Sequence, residues 1–175
     1  NPPVGPVAPT QIGTSTGWTD LFSGYDSVFA LKNAGIQVGQ LWTWGAGALG
    51  LGDAPAGSSE IPVRVGSGFS WVSVSTSKSS NKPHTLALKQ SGRLYGWGVN
   101  WDQGQLGLPL TDNGAQLPDN YSKASPFRLQ DENDDRFLAI GAGEGFSVII
   151  RNDGFMLSAG INESGQLGNG QTNAT

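Results

Sequence analysis

His84-Thr85-Leu86-Ala87-Leu88, Lys89-Gln90-Ser91-Gly92-Arg93 and Leu94-Tyr95-Gly96-Trp97-Gly98 follow one another without a break, and this stretch decides the fold. Two short apolar runs flank a polar turn that holds a glycine, which is the pattern of a β-hairpin. Gly92 is expected to take the left-handed conformation that a tight return requires. The pair Trp97-Gly98 ends the second run. A large ring there can fill the space between neighbouring sheets, and the glycine lets the chain turn away at once.

The same order occurs twice more. Upstream it reads Ser27-Val28-Phe29-Ala30-Leu31, Lys32-Asn33-Ala34-Gly35 and Leu41-Trp42-Thr43-Trp44-Gly45. Downstream it reads Ser147-Val148-Ile149-Ile150, Arg151-Asn152-Asp153-Gly154 and Met156-Leu157-Ser158-Ala159-Gly160. Each copy opens on a proline motif: Pro9-Thr10-Gln11-Ile12-Gly13, Pro62-Val63-Arg64-Val65-Gly66 and, more loosely, Pro126-Phe127-Arg128-Leu129. An aromatic residue follows in each, at Trp18, Trp71 and Phe137. Each closes on a glycine loop: Ala48-Leu49-Gly50-Leu51-Gly52, Gln105-Leu106-Gly107-Leu108-Pro109 and Gln166-Leu167-Gly168-Asn169-Gly170. The repeats therefore run over about 9–61, 62–125 and 126–175, behind a proline-rich arm at 1–8 that favours an extended polyproline II form. Insertions fall in loops: Gly35 to Gln40 in copy one, Ser79-Ser80-Asn81-Lys82 and the polar excursion Thr111 to Ser125 in copy two. Copy three has Ala159 where the others have Trp44 and Trp97, which predicts looser packing beside its sheet.

The composition fits this picture. Glycine numbers 27 of 175 residues, because it recurs at the turns and closing loops of every copy. No run shows helical periodicity, and none is apolar enough to span a membrane. There is no cysteine, so disulfides and thiolate zinc sites are excluded. The net charge of −4, with basic residues scattered singly, disfavours nucleic acid as a ligand, since phosphate contacts supply most of that affinity.

The order of hairpin, Trp-Gly strand end and Gly104-Gln105-Leu106-Gly107 loop resembles the regulator-of-chromosome-condensation repeat family. The resemblance runs from Pro9 to Gly170. It implies an all-β fold of propeller blades, each a short antiparallel sheet. The family's closed ring has seven blades, within the usual range of about four to eight. Three copies then make an incomplete ring, expected to be completed by further chain or by other subunits. The family's best-known members promote nucleotide exchange on a small GTPase and bind chromatin, but only scaffold residues match here.

Candidate chemistry is sparse. Gly45-Ala46-Gly47-Ala48-Leu49-Gly50 imitates a dinucleotide-binding turn, which needs a following helix. Leu51-Gly52-Asp53-Ala54-Pro55 cannot supply one, so the segment is a repeat loop and no cofactor is expected. His84 is the sole histidine, and its repeat position predicts packing and hydrogen bonding. Asp131-Glu132-Asn133-Asp134-Asp135 begins like a calcium loop, but Arg136 stands where such a loop needs glycine and Ala142 where it needs glutamate. No catalytic or metal-binding set emerges, and an enzyme is not expected. Loop aromatics Trp101 and Tyr121 and the carboxylates Asp131, Glu132, Asp134 and Asp135 are the candidate partner contacts. Asn120, Asn162 and Asn173 head glycosylation sequons. The expected role is a protein-binding or scaffolding module that belongs to an assembly or homo-oligomer. A structural or adhesive component of a virion or secreted bacterial protein is favoured, which places it outside the cell. An intracellular regulator of the nucleotide-exchange type is the alternative.

Overall fold

The computed structural model describes residues 8–52, 57–100, 104–107, 111–112, 115–116, 122–129 and 136–172. All regular structure in these residues is β, as expected, and it forms three antiparallel sheets plus one small ribbon. The first sheet runs β1 (Trp18–Ser23), β2 (Ser27–Ala34), β3 (Gln37–Gly47) and β4 (Gly57–Arg64) in that order. The second holds β5 (Trp71–Thr76), β6 (His84–Lys89) and β7 (Leu94–Val99); β8 (Thr111–Asp112) and β9 (Ala115–Gln116) pair as the ribbon, and β10 (Ser122–Arg128) then returns to lie beside β7. The third holds β11 (Phe137–Ala142), β12 (Phe146–Arg151) and β13 (Met156–Gly160). The second and third proline motifs lie in outer strands of the preceding sheet: Val63 and Arg64 pair with Thr43 and Trp42, and Phe127 and Arg128 with Gly96 and Tyr95.

The central hairpin forms as the sequence predicts, and its register runs from His84 opposite Gly98 to Leu88 opposite Leu94. Gly92 turns with φ 78°, and Gly35 and Gly154 do the same in the other copies at 58° and 90°. Gly98 has φ 97°, and a Cβ there would overlap the carbonyl oxygen of Pro83 at the start of the neighbouring strand. Only glycine satisfies both constraints. Each first strand also carries a β-bulge just after its aromatic residue, at Trp18, Trp71 and Phe137.

Two buried clusters hold the sheets together, and each lies at a seam between blades. Phe29, Leu31, Leu41 and Ala48 of the first sheet and its closing loop pack against Trp71, Val74, Ala87 and Trp97 of the second. Leu86, Leu88, Leu94 and Leu106 of the second pack against Phe137, with Ile140 and Ile149 beside them. Trp97 is wholly buried, and its Nε1 donates to the Ala48 carbonyl at 2.7 Å. The ring sits on Gly50, so the glycine-rich loop that imitates a nucleotide turn is the socket for a neighbouring blade's tryptophan. The three sheets do not close on one another. Trp44, the counterpart of Trp97, instead lines a groove of about 700 Å³ on the outward side of the first sheet, with Ile12, Trp18, Leu21 and Pro62.

Candidate interaction site at the bridging loop

The insertion before β6 is more than spare length. Lys78 Nζ reaches across to donate to the Ser23 carbonyl of the first blade. Ser79 Oγ lies 3.2 Å from Glu144 Oε1 of the third blade, to which it donates. One loop of the middle blade is thus tied to both neighbours. Its own shape is set by two buried serines. Ser77 Oγ lies 3.3 Å from the Lys82 carbonyl and accepts from Ser79 N, while Ser79 Oγ accepts from Asn81 N. Serine and asparagine favour such local side-chain to backbone bonds, which is why this polar run holds a fixed path.

His84 anchors the loop from beneath. It is wholly buried, with Nδ1 3.4 Å from the Lys82 carbonyl and Nε2 3.0 Å from Ser147 Oγ on β12. A neutral ring with its proton on Nδ1 satisfies both, since Nε2 then accepts from the Ser147 hydroxyl. Burial pushes its pKa down to about 4, against the smaller opposing effect of nearby backbone carbonyls. The expectation that His84 packs and hydrogen-bonds is met, and it does so across the seam between the second and third blades.

Beside this loop lies a polar crevice of about 360 Å³ lined by Tyr25, Asp26, Ser27, Thr76, Ser77 and Ser79, among others. Tyr25 is 63% exposed at its edge. The crevice is walled by the first-to-second strand connections of two blades and by the β3–β4 end of the first. Of these side chains the exposed phenol of Tyr25 is the type that protein interfaces favour, and the hydroxyls and the Asp26 carboxylate around it offer hydrogen-bonding groups. No nucleophile and base are paired there, and among the described residues no group of His, Cys, Asp and Glu could hold a metal.

The candidate contacts expected from the sequence, Trp101, Tyr121, Asp131, Glu132, Asp134 and Asp135, lie outside the described residues, as do Asn120, Asn173 and the arm at 1–7. Asn162 does not fit a glycan acceptor. It is wholly buried, Nδ2 donates to Asn169 Oδ1 and the Gln171 carbonyl at 3.0 Å each, and Oδ1 accepts from Leu167 N. Asn100 braces the second closing loop in the same way, accepting from Leu106 N at 2.7 Å. The first copy has Gly47 at that position, and there Leu49 N donates to the Gly47 carbonyl. The sequence signal for this brace was a shared Asn two residues after Gly98 and Gly160. The bridging role of the insertion had no signal beyond its length.

The family model for the regulator of chromosome condensation (RCC1) repeat matches residues 91–150, which spans the central turn, β7 and the first hairpin of the third copy. An RCC1 repeat is thus part of this chain. It is 31% identical over 139 residues to human HERC3, a probable E3 ubiquitin-protein ligase, covering 77% of this chain and 12% of that protein. It is also 31% identical over 136 residues to the mouse regulator of chromosome condensation, covering 75% of this chain and 29% of that one. The chain therefore spans under a third of the length of either of these two relatives. Among solved structures it superposes on Prp20p of Saccharomyces cerevisiae, a protein with binding properties to Gsp1p and histones. The TM-score is 0.69 at 23% identity, over 91% of this chain and 37% of that one. The RCC1 blade is thus the unit of this fold.

Proposed function

We propose that this chain recognises a protein partner through the end of the blades that carries the bridging loop and its crevice. The observation that carries the reading is the tie of Lys78 to the first blade and Ser79 to the third. It turns three separate blade ends into one preformed surface, which lowers the ordering cost of binding. Lys78, Lys82, Asp26 and Glu144 give that surface charges of both signs, suited to orienting a polar partner. The partner binding of Prp20p supports a protein ligand, and ring completion by further blades or subunits would use the groove beside Trp44. The expectation of an exposed virion or bacterial scaffold gains nothing from the fold or from the relatives, so the coarser protein-binding role is what is proposed. Photocrosslinking from position 25, with position 36 on the β2–β3 turn as the control, tests it. Partner adducts from position 25 and not from position 36 are expected. Adducts from position 36 alone, or from neither, would overturn it.

A further inference from the structure

The two seams between blades are filled differently. At the first, Trp97 takes up the space, with its ring edge-on to Phe29 at 5.9 Å and its N–H on the Ala48 carbonyl. At the second, Ala159 holds the same register position. It lies opposite Ser147 on β12 as Trp97 lies opposite Thr85 on β6. It also faces Gly107 as Trp97 faces Gly50, at 3.6 Å from where a Gly107 Cβ would sit. The room an indole would occupy is instead a cavity of about 190 Å³, whose apolar wall is Leu86, Leu94, Leu106, Leu129, Ile149 and Leu157.

We propose that this cavity binds a small planar aromatic molecule of indole size, as a detached counterpart of the Trp97 ring. Apolar cavities of roughly 150 Å³ stay dry and take up single-ring aromatics. This one suits the same class. Its two hydroxyls are engaged, Ser147 with His84 at 3.0 Å and Ser158 with the Leu167 carbonyl at 2.9 Å, so it offers a water few partners. Leu157 is 39% exposed, which gives the cavity a mouth to solvent between β13 and the second blade. The closing-loop residue in Ala48's place is Gln105. By repeat position alone its backbone carbonyl is the counterpart of the oxygen that takes the Trp97 N–H, and the proposal extends to a preference for a ring bearing an N–H over a plain hydrocarbon. A charged ring substituent would be desolvated against leucine and is excluded.

The test is a titration of 5-fluoroindole into the 175-residue chain, read by fluorine NMR, with benzene as the hydrocarbon comparison. Saturable one-to-one binding below about 1 mM is expected, with benzene several-fold weaker. Ala159→Leu should weaken fluoroindole at least tenfold while keeping or raising the thermal midpoint, because the new methyls fill the void. Leu129→Phe, from another part of the wall, is the second variant should Ala159→Leu not fold. Absence of saturable binding to the folded parent chain would overturn the proposal. So would affinity unchanged in whichever variant folds.

Discussion

His84 should make this fold acid-sensitive in a window where little else titrates. In the unfolded chain its imidazole has the ordinary pKa of 6.5, and in the fold burial lowers it to about 4. The unfolded state therefore binds the proton first as pH falls. Stability is full above pH 6.5, declines as pH drops through that value, and levels off below about 4. The whole shift corresponds to roughly 3 kcal/mol, and the part between pH 7 and pH 5 to about 2 kcal/mol. For a domain of ordinary stability that is a large fraction of the total. The chain has one histidine, so the assay is clean. Urea unfolding followed by tryptophan fluorescence at pH 7 and pH 5 should show the midpoint fall at the lower pH with the slope unchanged. His84→Gln should be less stable at pH 7 but nearly flat between the two. A parent midpoint that does not move, or a His84→Gln protein with the parent's full pH response, would refute the assignment.

Other substitutions separate the seams from the surface. Trp97→Ala should cost about 3–5 kcal/mol in urea unfolding, since a wholly buried ring and its hydrogen bond are lost; Trp44→Ala, beside an open groove, should cost well under half of that. Asn162→Ala leaves Leu167 N without its acceptor inside the loop and should cost about 2 kcal/mol, read by the same assay. Gly98→Ala combines an unfavourable φ with an overlap on Pro83 and should cost about 2 kcal/mol or more, with a drop in soluble yield. Ser79→Ala should leave the unfolding midpoint within about 1 kcal/mol, while it speeds amide exchange across 77–82 by cutting the tie to Glu144.

The parts legible in the sequence were those in which one residue type has one physical use. Gly92 and Gly98 mark backbone that other residues enter only with strain, and the Trp97-Gly98 strand end marks the ring that fills a seam where a neighbouring blade is present. Ala159 announced a void by comparison with its two counterparts, and the cavity is there. The bulges after Trp18, Trp71 and Phe137 were not legible, because a bulge adds one residue without asking for a special side chain. The aromatics beside them pair in ways that spacing alone did not show. Trp18 meets Trp42 edge-on at 5.6 Å and Trp71 meets Tyr95 at 5.0 Å, with Lys32 and Lys89 lying over the rings. The bridging loop escaped for another reason. Serine and lysine are common in any surface insertion, and which blades they reach depends on how sheets stack.

The outer strand of the first sheet ends in the motif that opens the second copy, and that of the second sheet lies in the stretch that opens the third. The stretch of sequence that repeats is therefore out of phase with the sheet that folds. A newly duplicated copy would bring no independent blade with it. Its first residues would zip onto the edge of the sheet already present, and its own last edge would wait for whatever came next. Growth by tandem duplication is then also stitching, since each added copy seals the raw edge left by its predecessor. Cutting such a gene at its sequence repeats would unpick a strand from every sheet.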